Sequence, residues 1–140
     1  MNIGKLSLND SLAILREVNF GKLGCIAEGK PYVLPIHYYF DGEDIYVHSL
    51  PGKKIEALRA NPNACVQVEE IRDAYHWRSV IAFGTYEELT DEEAKEKILA
   101  QLFRRLPHLS PVESRMMKKE GEAIIFRIKV EEISGVGEEW

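Results

Sequence analysis

Asp44-Ile45-Tyr46-Val47-His48-Ser49-Leu50-Pro51-Gly52-Lys53-Lys54-Ile55-Glu56-Ala57-Leu58-Arg59-Ala60 reads as a strand, a turn and a helix. The β-branched and aromatic run Ile45–Val47 favours extended backbone. Pro51 and Gly52 turn the chain. From Lys53 the residues suit a helix, with Ile55 and Leu58 three apart on one face. Lys53 and Lys54 then sit in the first helical turn, where the macrodipole favours negative charge instead. A bound phosphate would remove that conflict, because free backbone N–H groups and both ammoniums would point at it. His48 and Ser49, just ahead of the turn, can each hydrogen-bond an oxyanion. A solvated lysine pair on an ordinary turn is the competing reading.

The pattern extends in both directions. Asn9 or Asp10 is placed to cap a helix running to about Val18, with Leu12, Ile14 and Leu15 inward. Gly21–Ala27 and Tyr32–Phe40 read as a hairpin across the turn Glu28-Gly29-Lys30-Pro31. Pro35 marks the second strand as an edge or a bulge, since proline cannot donate to the ladder. Asp41-Gly42 turns into a third strand, Ile45–His48. Asn61-Pro62-Asn63 stops the helix, Ala64–Glu69 is a fourth strand, Ile71–His76 a polar loop and Trp77–Leu89 a fifth strand. Thr90 and Glu93 form a capping box for a helix to about Arg105, with Ala94, Ile98, Leu102 and Phe103 on its apolar stripe. Residues 108–121 read as a loop with one helical turn at 112–118. Glu122–Ile133 is strand six, with Ile124, Phe126, Ile128 and Val130 inward, and Gly135–Trp140 a frayed tail. Six short strands with few helices predict one mainly β domain over residues 1–140, a small antiparallel barrel carrying peripheral helices.

The totals narrow the function. A chain of 140 residues suits one core. A net charge of −5 and a pI of 5.4 argue against a nucleic-acid partner. No apolar run approaches the roughly 20 residues that span a bilayer, and Met1–Asp10 lacks a signal-peptide apolar core. No membrane partner is expected, and the cytoplasm is the expected location. Cys25 and Cys65 lie in apolar runs and read as small buried hydrophobes. With His37, His48, His76 and His108 they show no CxxC or HExxH spacing, so no metal site is expected. Ser49 and Ser79 lack a GxSxG elbow, and neither GxGxxG nor GxxxxGK[ST] occurs.

Four segments carry a resemblance. They are Leu34-Pro35-Ile36-His37-Tyr38-Tyr39, Tyr46-Val47-His48-Ser49 with Gly52-Lys53-Lys54, Leu58-Arg59-Ala60-Asn61-Pro62, and Trp77-Arg78-Ser79-Val80. In this order and spacing the chain resembles the FMN-binding split-barrel proteins related to pyridoxamine 5'-phosphate oxidase, nearest their nitroimidazole-resistance (nitroimidazole reductase-like) branch. The resemblance covers roughly Leu12–Leu89, and Glu122–Val130 fits the closing strand. It implies a six-stranded antiparallel split barrel that forms a homodimer, with FMN in clefts at the interface. It implies that Lys53 and Lys54 hold the FMN phosphate, helped by His48, Ser49 and the amide of Gly52. Pro35, Ile36, His37 and Tyr38 would run beside the ribityl chain and ring. Trp77, Arg78 and Ser79 would approach the cofactor across the interface.

The activity implied is a flavin-dependent oxidoreductase that takes hydride from NAD(P)H and reduces a small, nitroaromatic-like acceptor. The alternative is a non-enzymatic flavin- or haem-binding split-barrel module. A flavin carries such chemistry itself, so no catalytic residue is assigned. His37 shares a strand face with Val33, Pro35 and Tyr39. It is therefore either a ligand contact or the solvent-side residue of a half-buried strand. Trp77 and Arg78 also suit plain interface anchors. A pyridoxamine phosphate oxidase proper would need a further basic cluster for its substrate phosphate, and the sequence offers none.

Overall fold

The structure, a computed structural model, describes residues 3–104 and 123–138. The expectations for 108–121 and for Trp140 fall outside the described residues. Along the chain run β1 (Ile3–Lys5), α1 (Leu8–Glu17), β2 (Phe20–Ala27), β3 (Lys30–His37), β4 (Tyr39–Phe40), β5 (Ile45–Ser49), α2 (Lys53–Ala60), β6 (Asn63–Asp73), β7 (His76–Glu88), α3 (Glu92–Arg104) and β8 (Ile124–Glu138).

All strands join one antiparallel sheet in the order β3-β2-β6-β7-β8-β5-β4, with β1 added to β8. β3 and β4 stand at opposite ends of that order, yet only Tyr38 separates them in the chain. A flat sheet cannot place its two ends one residue apart. The sheet is therefore rolled into a barrel, left without a hydrogen-bonded ladder between β3 and β4. Its inner face holds Leu23, Val66, Val80, Ala82, Phe126 and Ile128, all buried. Ile14 and Leu15 of α1 and Ile55 and Leu58 of α2 pack against this core.

Tyr38 explains why the expected strand Tyr32–Phe40 is broken. Its ring is only 2% exposed, and its hydroxyl lies on the carbonyl oxygens of Leu15, at 2.8 Å, and Val18. Its amide donates to Asn19 O instead of a sheet neighbour. With β4 separated and β1 added, eight strands replace the expected six. The β2–β3 hairpin turns through Glu28 and Gly29, at φ 52° and 76°, the doubly positive loop that matches strand twist. β3 is an edge strand, as Pro35 indicates.

Four further expectations are corrected. Ser7, not Asn9 or Asp10, caps α1, accepting from the amide of Asp10. Asp91, not Thr90, accepts from the amide of Ala94 at the start of α3. The polar run to Asp73 is no loop. It extends β6 and pairs with β7 through Ile71↔Trp77 and Asp73↔His76. Gly135–Glu138 is not frayed but is paired to β7 and, from Val136 onward, also to β1.

Candidate functional site

The turn between β5 and α2 gathers positive charge. Successive side chains of a strand alternate faces, so Ile45, Val47 and Ser49 share the inner side of β5. Ser49 is buried, at 6% exposure, and its hydroxyl donates to Leu50 O at 2.8 Å. Lys54 Nζ donates to Ser49 Oγ at 3.1 Å. Burial holds the Lys54 ammonium below its ordinary pKa, and it lies close enough to Cys25 for the two to interact electrostatically. Burial in turn pushes the Cys25 thiol up. Gly52 is the N-cap of α2 and provides no side-chain acceptor, so the helix's positive end is left without a side-chain cap. Lys53 is exposed, with its ammonium 4.8 Å above the Tyr32 ring. Lys54 thus contacts Ser49, and Gly52 and Lys53 lie beside them in the same turn.

The other expected residues go elsewhere. His48 projects from the opposite face of β5, and its ring packs edge-on against Phe103 of α3 at 5.0 Å. It lies on the face of β5 opposite Ser49, since adjacent strand residues face opposite ways. Pro35 is exposed on the edge strand, but Ile36 and Tyr38 are core residues. Neither side chain lines an open cleft, which leaves only their main chain to face one. His37 is half-buried against Phe20, with ring centroids 4.8 Å apart. Its Nδ1 is buried with no hydrogen-bond partner among the described residues.

Trp77 Nε1 donates to Glu138 at 3.1 Å, Arg78 to Glu70 at 3.2 Å, and Ser79 Oγ accepts from Gln67 at 3.0 Å. These three residues lie toward the far end of β7 from Phe83, which pairs with Cys65. Six residues of strand separate Trp77 from Phe83, about 20 Å. One chain alone does not bring them to the lysine turn.

A second feature was not anticipated. An apolar trough of about 330 Å³ opens at the turn end of β3. Its walls include Pro31, Tyr32 and Val33 of the edge strand, Cys65 of β6 and Phe83 of β7, with Gly24 at the floor. A Cβ on Gly24 would come within 2.9 Å of Cys65 Sγ, so the missing side chain is what keeps the trough open. Tyr32 and Cys25 both line it, and these residues adjoin Lys53 and Lys54. The trough nevertheless opens on the outer face of the sheet with Val33, Cys65 and Phe83, whereas the side chains of Tyr32 and Cys25 point to the inner face, toward the lysines. Among the described residues no cluster of His, Cys, Asp or Glu could hold a metal ion. None of the described helices is long and apolar enough to cross a membrane.

A rolled antiparallel sheet, split beside β3 and with a cationic turn over that strand, defines a split-barrel protein. The pyridoxamine 5'-phosphate oxidase family model matches residues 7–136. An FAD-binding protein of Mesorhizobium loti is 31% identical, with a TM-score of 0.80 over 98% of this chain and 99% of its own. An uncharacterized protein of Rhizobium meliloti is 28% identical over 96% of this chain and 95% of its own. A putative 5-nitroimidazole antibiotic resistance protein of Bacteroides thetaiotaomicron shares the fold, with a TM-score of 0.74 at 21% identity over 98% of this chain and 89% of its own. The chain belongs to the pyridoxamine 5'-phosphate oxidase family.

Proposed function

We propose that this protein binds a flavin nucleotide at the edge strand β3 and works as a flavin-dependent oxidoreductase. The observation that carries the reading is the turn Ser49–Lys54, where a half-buried lysine, an exposed lysine and an uncapped helix end converge. A phosphate group, carrying about 1.5–2 negative charges at neutral pH, fits that donor set. Lys54, already desolvated, needs no further burial to meet it. The exposed edge of β3 offers main-chain groups at Pro35–Tyr38 to the polar rim of a flat ring. When bound, the flavin supplies hydride transfer, here from NAD(P)H to a small acceptor of nitroaromatic type. The chain's own part is to hold the phosphate and to fix the ring against the strand.

The same reading includes a homodimer. Phe20, Ile71 and Val136 are 50%, 65% and 37% exposed. The strand register places them with Trp77 on the outer face of the sheet, at the end away from the trough. An apolar face of this kind suits a second copy of the chain.

The test is the absorbance spectrum of the purified protein, heat release of any chromophore, and NAD(P)H oxidation with a nitroaromatic acceptor. A yellow protein that consumes NAD(P)H is expected. A colourless protein that takes up no added flavin would overturn the proposal, and a haem Soret band would replace it with the haem-binding module. A flavin-loaded protein inert to both nicotinamides would leave binding without catalysis.

A further inference from the structure

We propose that the trough is a socket for a second copy of this chain: each trough receives the partner's Ile71, and each Ile71 enters the partner's trough. This rests on the homodimer reading above and names its contact. The strand register carries it. Side chains alternate along a strand. Cys65, Gln67, Glu69 and Ile71 of β6 therefore share the outer face, while Val66 and Val68 between them are fully buried. Phe83, Ile81, Ser79 and Trp77 stand beside them on β7. The trough occupies one end of this face, with Cys65 and Phe83 in its walls. At the other end exposed Ile71 pairs with Trp77. One face thus carries an apolar hollow and an apolar projection, six residues or about 20 Å apart.

At that separation they can fill one another only between two copies. Sheets pack face to face with their strands roughly aligned. A two-fold axis lying in the face, across the strands at the paired residues Val68 and Val80, turns each end onto the other. Ile71 then meets the partner's Cys65, and Trp77 meets the partner's Phe83. An axis along the strands would instead set trough against trough and leave both unfilled. Charge agrees with the crosswise axis. Glu69 meets the partner's Gln67, whose amide can donate to a carboxylate. Lys22 lies level with Gln67, and Phe20, two residues earlier, level with Glu69. Lys22 therefore meets the partner's Phe20, a cation over a ring. On β2, β6 and β7 no like charges oppose one another. Glu69 already holds Lys22 and Gln67 of its own copy, so it enters the contact paired. Gly24 fits the same account. A Cβ there would come within 2.9 Å of Cys65 Sγ, and any larger side chain would take the space that the partner's Ile71 needs.

The experiment weighs the full chain, as purified, by analytical ultracentrifugation. Wild type should be a dimer. Ile71→Lys and Cys65→Glu, each alone, should raise the dimer dissociation constant at least about tenfold. Mixing these two variants should restore a dimer with one copy of each. In that pair one contact is unaltered, and the other joins the introduced ammonium to the introduced carboxylate. A chain carrying both substitutions should dimerise by itself. Thermal melting checks that each variant folds. Val33→Glu, at a trough wall 63% exposed, takes the place of Cys65→Glu if that variant does not fold. Variants that stay dimeric, or that stay apart when mixed, would overturn this inference and leave a dimer built on another contact. A monomeric wild type would remove the homodimer reading as well.

Discussion

Replacing Lys54 with methionine separates what the ammonium does for a ligand from what it does for the fold. In the free protein Lys54 is a burden: burial lowers its pKa, and its one described hydrogen bond goes to Ser49 Oγ at 3.1 Å. Ser49 keeps its own bond to Leu50 O when that partner is lost. Methionine preserves most of the apolar stem and removes the desolvated charge, so unfolding free energy without ligand should stay level or rise. The phosphate, by contrast, loses a charge-assisted hydrogen bond worth about 1.5–3 kcal/mol. That corresponds to a loss of flavin affinity of about 10- to 150-fold. Fluorescence titration of flavin-free Lys54→Met, alongside its urea denaturation, measures both quantities. Affinity within twofold of wild type would refute the phosphate role. A parallel collapse of stability would show that Lys54 acts through the fold instead.

Five further outcomes are expected. Phosphate-bound Lys54 must be charged, so flavin affinity should fall as pH rises through its lowered pKa, earlier than an ordinary lysine at 10.5 would give. Stability of the ligand-free protein should rise over the same interval, because the unfolded chain there binds more protons than the folded one; pH-dependent titration and melting check both. Ile71→Lys, on the exposed outer face, should yield a monomer by sedimentation if that face joins two copies. Gly84→Ala should destabilise by about 1–3 kcal/mol, since a Cβ there would run into the carbonyl of Lys129 beside the β7–β8 register shift; chemical denaturation reads it. Tyr38→Phe should cost about 0.5–1.5 kcal/mol through the lost hydroxyl bond to α1, with flavin affinity unchanged, by melting and titration.

What the sequence disclosed was local. The strand–turn–helix at 45–60 is legible because Pro51, Gly52 and the helix formers act over a few residues. The hairpin around Gly29 is legible for the same reason. The misreadings come where distant partners decide. Ile71–Asp73 looks like a loop because it lacks apolar alternation, but Ile71 and Asp73 pair with Trp77 and His76 of β7. Gly135–Glu138 looks frayed by composition, yet β7 and β1 flank it. The lysine turn stood out through a conflict with the helix dipole, a clash readable in one dimension. The trough was not visible. It arises from an absent side chain at Gly24 and walls from three strands, and nothing at position 24 alone distinguishes that glycine from one in a turn.

The edge strand carries a consequence for the protein's life in a crowded solution. An unpaired strand invites a foreign chain to add to it and so to seed aggregates. β3 keeps Pro31 and Pro35 on that border. A residue without an N–H cannot continue a ladder on its free side, so an incoming strand would meet gaps in its hydrogen bonding. The border can then stay open to a small molecule while remaining a poor template for another polypeptide.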